Sequence, residues 1–180
     1  MKKLQLSVLG LLLGLSVTLA GAARVTAQQL EVSSEKVRKE LVKLPYYGIF
    51  DNLEYQIKGD TVTLYGEVVR PTTRKDAERA VKDIKGVGRI VNNIEVLPLS
   101  GFDDDLRLRL YRAIFNRGGL YRYALGANPS LHIIVKNGNV KLVGVVANEG
   151  DRNLANITAN GVPGIFSVTN QLQVENSRRQ

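Results

Sequence analysis

The chain has 180 residues, with 25 Lys and Arg against 17 Asp and Glu, a formal net charge of +8, and no Cys. The missing thiols exclude disulfides, thiolate nucleophiles and Cys-ligated metal sites, so stability has to come from packing. With an ordinary apolar content, a chain of this length suits one mid-sized domain or two small ones once an export segment is set aside.

The N-terminus reads as such a segment. Met1-Lys2-Lys3 is basic, Leu4 to Ala23 is apolar or small with a Leu-rich centre, and small residues continue to Ala27. This is the layout of a secretory signal peptide over residues 1–27. Val25-x-Ala27 has the spacing for cleavage after Ala27, and Ala22 and Ala23 are the competing positions. An uncleaved anchor is the alternative, because the run is close to the length that spans a bilayer. With no Cys after the run, an acylated lipoprotein is not expected. Residues 28–100 carry 12 basic and 11 acidic side chains, whereas residues 101–180 carry 10 and 6. The positive excess behind the signal therefore lies in the second half. A basic exported protein meets anionic lipid head groups or acidic envelope polymers, not nucleic acid.

After the signal, the spacing of Val37, Leu41 and Leu44 predicts a helix, capped by Ser33 or Ser34 and ended by Pro45. Leu53, Tyr55 and Ile57 alternate with polar residues, as do Val62, Leu64, Gly66 and Val68, which predicts two half-buried strands joined by a tight turn at Gly59-Asp60. Gly66 is expected to let a helix lie close to the sheet. Thr72 or Thr73 is expected to cap a second helix with the stripe Ala77, Ala80, Val81 and Ile84. Gly86-Val87-Gly88 stops it, and Ile90, Ile94 and Val96 predict a final strand.

The same order then recurs. Shifted by 78 residues, Val62–Val96 falls without a gap on Val140–Val174, with Leu64/Leu142, Gly66/Gly144, Arg74/Arg152, Gly86/Gly164 and Asn92/Asn170 identical. Upstream, Leu53, Tyr55 and Ile57 fall on Leu131, Ile133 and Val135, and the turn becomes Asn137-Gly138 or Gly138-Asn139. The second copy carries an extra stretch of about nine residues around Arg117 to Ala127. Asp151–Asn160 is a poor helix by propensity, with its several Asn, and the repeat alone argues for it. The expected fold is α+β: two tandem αββαβ modules at residues 32–98 and 103–175, each a three-stranded sheet packed by two helices.

Val62-Thr-Leu-Tyr-Gly66-Glu-Val68, Lys85-Gly86-Val87 and Ile90-Val-Asn92-Asn-Ile94-Glu-Val96, with their counterparts in the second copy, resemble the BON domain, a family named for bacterial osmotic-shock-protection and nodulation proteins. The resemblance covers nearly all of the chain behind the signal. It implies a periplasmic or envelope protein, a non-enzymatic module that contacts phospholipid or another envelope surface, and a link to envelope stress. It carries over no binding residue.

Little else points to chemistry. The sole His, His132, lies on the strand face opposite Leu131, Ile133 and Val135 and reads as an ordinary outer-face residue. Asp103-Asp104-Asp105 precedes a helix expected to begin near Leu106, where carboxylates complement the N-terminus. Gly86-x-Gly88 follows a helix, so it is no nucleotide fingerprint. No catalytic, metal or cofactor site is expected.

The segment Leu106–Arg117 is the informative one. On a helix, Leu106, Leu110, Ala113 and Ile114 form a core stripe, while Leu108, Tyr111 and Phe115 form a second stripe beside Arg109 and Arg112. Aromatics beside arginines suit a lipid interface, where rings sit at head-group depth and guanidiniums pair with phosphate. Arg117, Tyr121, Arg122 and Tyr123 continue that chemistry. The expected partner is anionic phospholipid or an envelope surface. The alternatives are a protein partner or homo-oligomer using the same stripe, and packing of that stripe against the first module.

Overall fold

The order helix, strand, strand, helix, strand occurs twice in the computed structural model, which describes residues 31–126 and 128–175. The signal-peptide segment 1–27, with Ala22, Ala23 and Ala27, lies outside the described residues. The first module comprises α1 (Ser34–Val42), β1 (Asn52–Lys58), β2 (Thr61–Val68), α2 (Pro71–Lys82), β3 (Arg89–Asn92) and β4 (Glu95–Val96). The second comprises α3 (Gly101–Phe115), a short 3-10 helix (Leu120–Ala124), β5 (Leu131–Lys136), β6 (Asn139–Val146), α4 (Glu149–Asn160) and β7 (Ser167–Val174). In each sheet the middle strand, β2 or β6, pairs antiparallel with the strand before it and parallel with the strand after the helix. Helices cover the inner face, burying Val37, Leu41, Val62, Leu64 and Val81 in one core and Leu106, Leu110, Ile114, Leu131 and Leu142 in the other. Among the described residues no helix is long and apolar enough to cross a membrane.

The residues identical between the copies hold the fold. Asn92 donates to the Arg74 carbonyl (3.1 Å) and its side-chain oxygen accepts from the Ile94 N–H (3.2 Å). Asn170 does the same with the Arg152 carbonyl (3.1 Å) and the Leu172 N–H (3.1 Å). Each asparagine thus ties the second helix to the last strand.

Several local expectations are corrected. Gly66 and Gly144 make no room for a helix: a Cβ there would lie 2.1 Å from the carbonyl oxygen of Asn52 or Ser130, at the start of the adjacent strand, and φ is +107° and +117°. Glycine is required by backbone conformation and strand approach. The cap of α2 is Arg70 with Pro71 at the first helical position, and Thr73 is buried instead of capping. The last strand of the first module is interrupted, whereas β7 runs unbroken. Helix α3 begins at Gly101, five residues before Leu106, with Ser100 accepting from the Asp103 N–H (3.2 Å). Helix α4, weak by composition, forms over Glu149–Asn160 and is capped by Asn148.

The modules dock. Ile49 and Phe50 pack on the second core, and the Ile133 N–H donates to the Ile49 carbonyl (2.8 Å), occupying a place on the edge of β5. Leu97, Ile134 and Val143 form a small core between the modules, with Val69 against it. Ion pairs Lys141–Glu67 and Lys136–Glu95 cross the junction. His132 is therefore no surface residue: the outer face of β5 is covered by the first module, and His132 is only 7% exposed.

Candidate interaction surface of the second module

Helix α3 carries three kinds of side chain. Leu106, Leu110 and Ile114 enter the core. Asp103 and Arg107, on the flank of the same face, are buried and do structural work. The Asp103 carboxylate accepts from the N–H groups of Asn137 and Gly138 (2.8 Å each), which clamps the β5–β6 turn. It does so from the first turn of the helix, where Asp103 and Asp104 also complement the N-terminus as expected. Arg107 pairs with Asp104 and donates to the Val135 carbonyl (2.7 Å). The remaining face is the outer one, where Leu108 and Tyr111 are 49% and 40% exposed and Arg112 is exposed beside them.

The sequence-derived residues thus separate. Leu108, Tyr111, Arg112, Arg117 and Tyr121 lie at the surface. Phe115 is buried in the second core, with its ring 5.1 Å from that of Tyr111. Tyr111 also meets Phe50 of the first module edge-on at 6.4 Å, so one side of its ring is covered and the other is open. Arg109 is held within the module, by Asp105 (2.9 Å) and by donation to the Pro163 carbonyl (2.7 Å). Arg122 pairs with Asp151, and Tyr123 is buried, its hydroxyl donating to Asp151 and accepting from the Ala147 N–H (2.9 Å). The inserted stretch is therefore chiefly a plug: Leu120 and Tyr123 fill the core, and Tyr121 and Leu125 project outward.

Two exposed aromatics of the second module escaped the sequence reading. Phe102 and Phe166 are 49% and 77% exposed. Phe166 lies over the β5–β6 turn, where a Cβ on Gly138 would come within 2.7 Å of its ring; Phe102 stands near Gly164 and Arg109. The repeat held the signal: Phe166 falls on Gly88, and Phe102 on Ser33 when Leu106 and Leu110 are set on Val37 and Leu41. An apolar surface residue that the sister copy does without is one the fold does not need.

This is a pair of docked α+β modules with an apolar, aromatic outer face on one of them and, among the described residues, no grouping of His, Asp and Glu fit to hold a metal. The BON domain model matches residues 29–98 and 103–176, and the chain belongs to the BON domain family, a family of envelope-associated, non-catalytic binding domains. Two solved structures of CdsD, a structural protein of the type III secretion system of Chlamydia trachomatis, are similar at low level. One, its C-terminal domain, is 10% identical, with 78% of this chain and 96% of that one covered and a TM-score of 0.32. The other is 12% identical, with 79% and 92% covered and a TM-score of 0.28. Scores this low bear no functional argument. No match is found among the curated proteins.

Proposed function

We propose that this protein is an exported envelope-surface binder that attaches to anionic phospholipid through its second module and serves envelope protection under stress. The observation that carries the reading is the outer face of α3: Leu108 and Tyr111 stand exposed beside Arg112, while the helical equivalents in α1 are Lys39, Val42 and Lys43. Phe102, Tyr121 and Phe166 add aromatic side chains suited to head-group depth. Arg112 and Arg117 are the basic residues of this stretch without a partner within the module, and each contributes about 1 kcal/mol near an anionic surface. Attachment is therefore weak and salt-sensitive, with the apolar side chains adding the rest.

Co-sedimentation with phosphatidylglycerol-containing vesicles and with pure phosphatidylcholine vesicles tests this. The expected result is pelleting with the former, reduced at least fivefold by Arg112→Glu and again by Leu108→Ser. Equal pelleting on both vesicle types, or indifference to both substitutions, would overturn it. A protein partner or second copy at the same face is the other reading, supported by the Tyr111 ring, which already packs edge-on against Phe50 of the first module. A mass that rises with concentration and falls on Tyr111→Ser would support that reading.

A further inference from the structure

The chain's one histidine sits at the junction of the modules, where nothing in the fold of either module requires it. His132 projects from the outer face of β5 and is nearly inaccessible. Its Nδ1 lies 3.1 Å from the Gly48 carbonyl oxygen of the first module, and its ring is tilted against Tyr47 at 5.5 Å between centroids. The Gly48–Asp51 turn that receives it is rigid: the Asp51 carboxylate accepts from the Gly48 N–H (3.0 Å) and the Val69 N–H (2.7 Å). The equivalent residue of the first module, Glu54, is exposed. We propose that His132 makes the docking of the two modules acid-sensitive: they are held together while its imidazole is neutral and released as it takes up a proton.

The surroundings decide the sign. Groups facing the ring are Tyr47 and Asp51 from the first module and the Pro129 carbonyl from its own, with Arg38 across the same cleft. Arg70 and Glu54 stand behind Asp51 and Tyr47. Burial outweighs the Gly48 carbonyl, the Asp51 charge and the Pro129 and Asp51 carbonyls, and it holds the docked imidazole below its ordinary value of 6.5. Burial also pushes Tyr47 up to about 12, so its hydroxyl stays neutral throughout. Once released, His132 faces water and regains an ordinary pKa. The open form therefore binds the proton first. Docking strength is full above 6.5 and is lost as pH falls toward the docked value. Across that window the docked-to-open ratio drops up to tenfold per pH unit, the slope of one proton. Burial also raises the Asp51 carboxyl above its ordinary value, against the Val69 and Gly48 N–H groups that it accepts from. Opening would also withdraw Phe50 from Tyr111 and bare the apolar patch of Leu97, Ile134 and Val143.

The test uses the full chain. Because it has no Cys, Lys82→Cys and Ile157→Cys give one labelling site on an exposed position of each module. Distances between spin labels are measured from pH 8 to pH 5, and the His132 ring resonance, the only histidine signal in the chain, is titrated in the unlabelled protein. The expected result is a single narrow distance at pH 8 that broadens on acidification, with the same midpoint as the His132 signal and below 6.5. His132→Gln keeps a donor without the titration and is expected to hold the narrow distance at pH 5. An unchanged distance at pH 5, a distance change whose midpoint departs from that of His132, or equal broadening in the His132→Gln protein would overturn the proposal. If His132→Gln fails to fold, the agreement of the two midpoints in the unsubstituted ring still decides it.

Discussion

At the turn between the first two strands, the two modules solve one packing problem in opposite ways. In the first, Asp60 occupies the turn and Gly88 the loop facing it; a Cβ on Gly88 would come 2.2 Å from the Asp60 carboxylate. In the second, Gly138 occupies the turn and Phe166 the loop, and a Cβ on Gly138 would strike the Phe166 ring. The backbone bond between the two positions is the same, at 2.9 Å in both. One side chain fits there, and either segment can supply it. The first module spends the place on a carboxylate; the second spends it on a phenyl ring, most of which faces solvent. The outer faces of α1 and α3 differ in the same sense, lysine-rich against leucine and tyrosine. A shared backbone with opposite surfaces is what duplication followed by division of labour leaves behind, and the binding face proposed for the second copy rests on that difference.

The comparison fails first if the shared backbone is not shared. Gly66→Ala and Gly144→Ala meet the same positive φ and the same carbonyl at 2.1 Å. Each is expected to cost about 3–4 kcal/mol in urea unfolding. A cost more than twice as large at one site would show that the sheets are not equivalent. Asp103→Ala comes next. It leaves the buried Gly138 N–H and the part-buried Asn137 N–H of the turn without their acceptor, for a loss of about 2 kcal/mol. The first module has Ser34 at the matching position, bonded to the Tyr55 hydroxyl at 2.8 Å and partly solvated, so Ser34→Ala is expected to cost less than about 1 kcal/mol. Equal losses would mean that Asp103 is no special clamp. Tyr123→Phe probes the insert that only the second module has. It removes the hydroxyl linking Asp151 and the Ala147 N–H, for about 1.5 kcal/mol by thermal unfolding.

Most of this architecture is legible in the sequence, because the repeat reports structure twice. Helix α4 is the clearest case: its asparagines argue against a helix, yet Arg152 and Asn170 match Arg74 and Asn92, the pair that fastens helix to strand. The strand alternation around Gly66 and Gly144 is equally plain, although the cause of the glycines is not. Period-two patterning shows which face a residue is on, and it cannot show that a carbonyl two ångströms away forbids a methyl group. Arg107 was hidden by chemistry: an arginine within Leu-Arg-Leu-Arg-Leu reads as solvent-facing, although its place four residues after Asp103 and three before Leu110 sets it on the buried side. His132 was hidden by distance. Its outer strand face becomes an interior only when a loop 84 residues away covers it, and no local pattern encodes that meeting.

Phe166 gives the smallest change in stability and shows how far the proposed lipid contact of the second module extends. With the ring 77% exposed, Phe166→Ser is expected to shift unfolding by no more than about 0.5 kcal/mol. The first module forms the same backbone bond with glycine there, so the ring is not needed for folding. If the ring sits at head-group depth on a vesicle, its loss removes about 1.4 kcal/mol of apolar contact, which is a tenfold weaker attachment to phosphatidylglycerol vesicles. The corresponding change in the first module, Gly88→Ser, has no such effect on attachment and instead disturbs Asp60. Tenfold weaker vesicle binding at unchanged stability places the aromatic tip in the lipid contact; unchanged binding restricts that contact to the outer face of α3, where Leu108 and Arg112 would have to carry it alone.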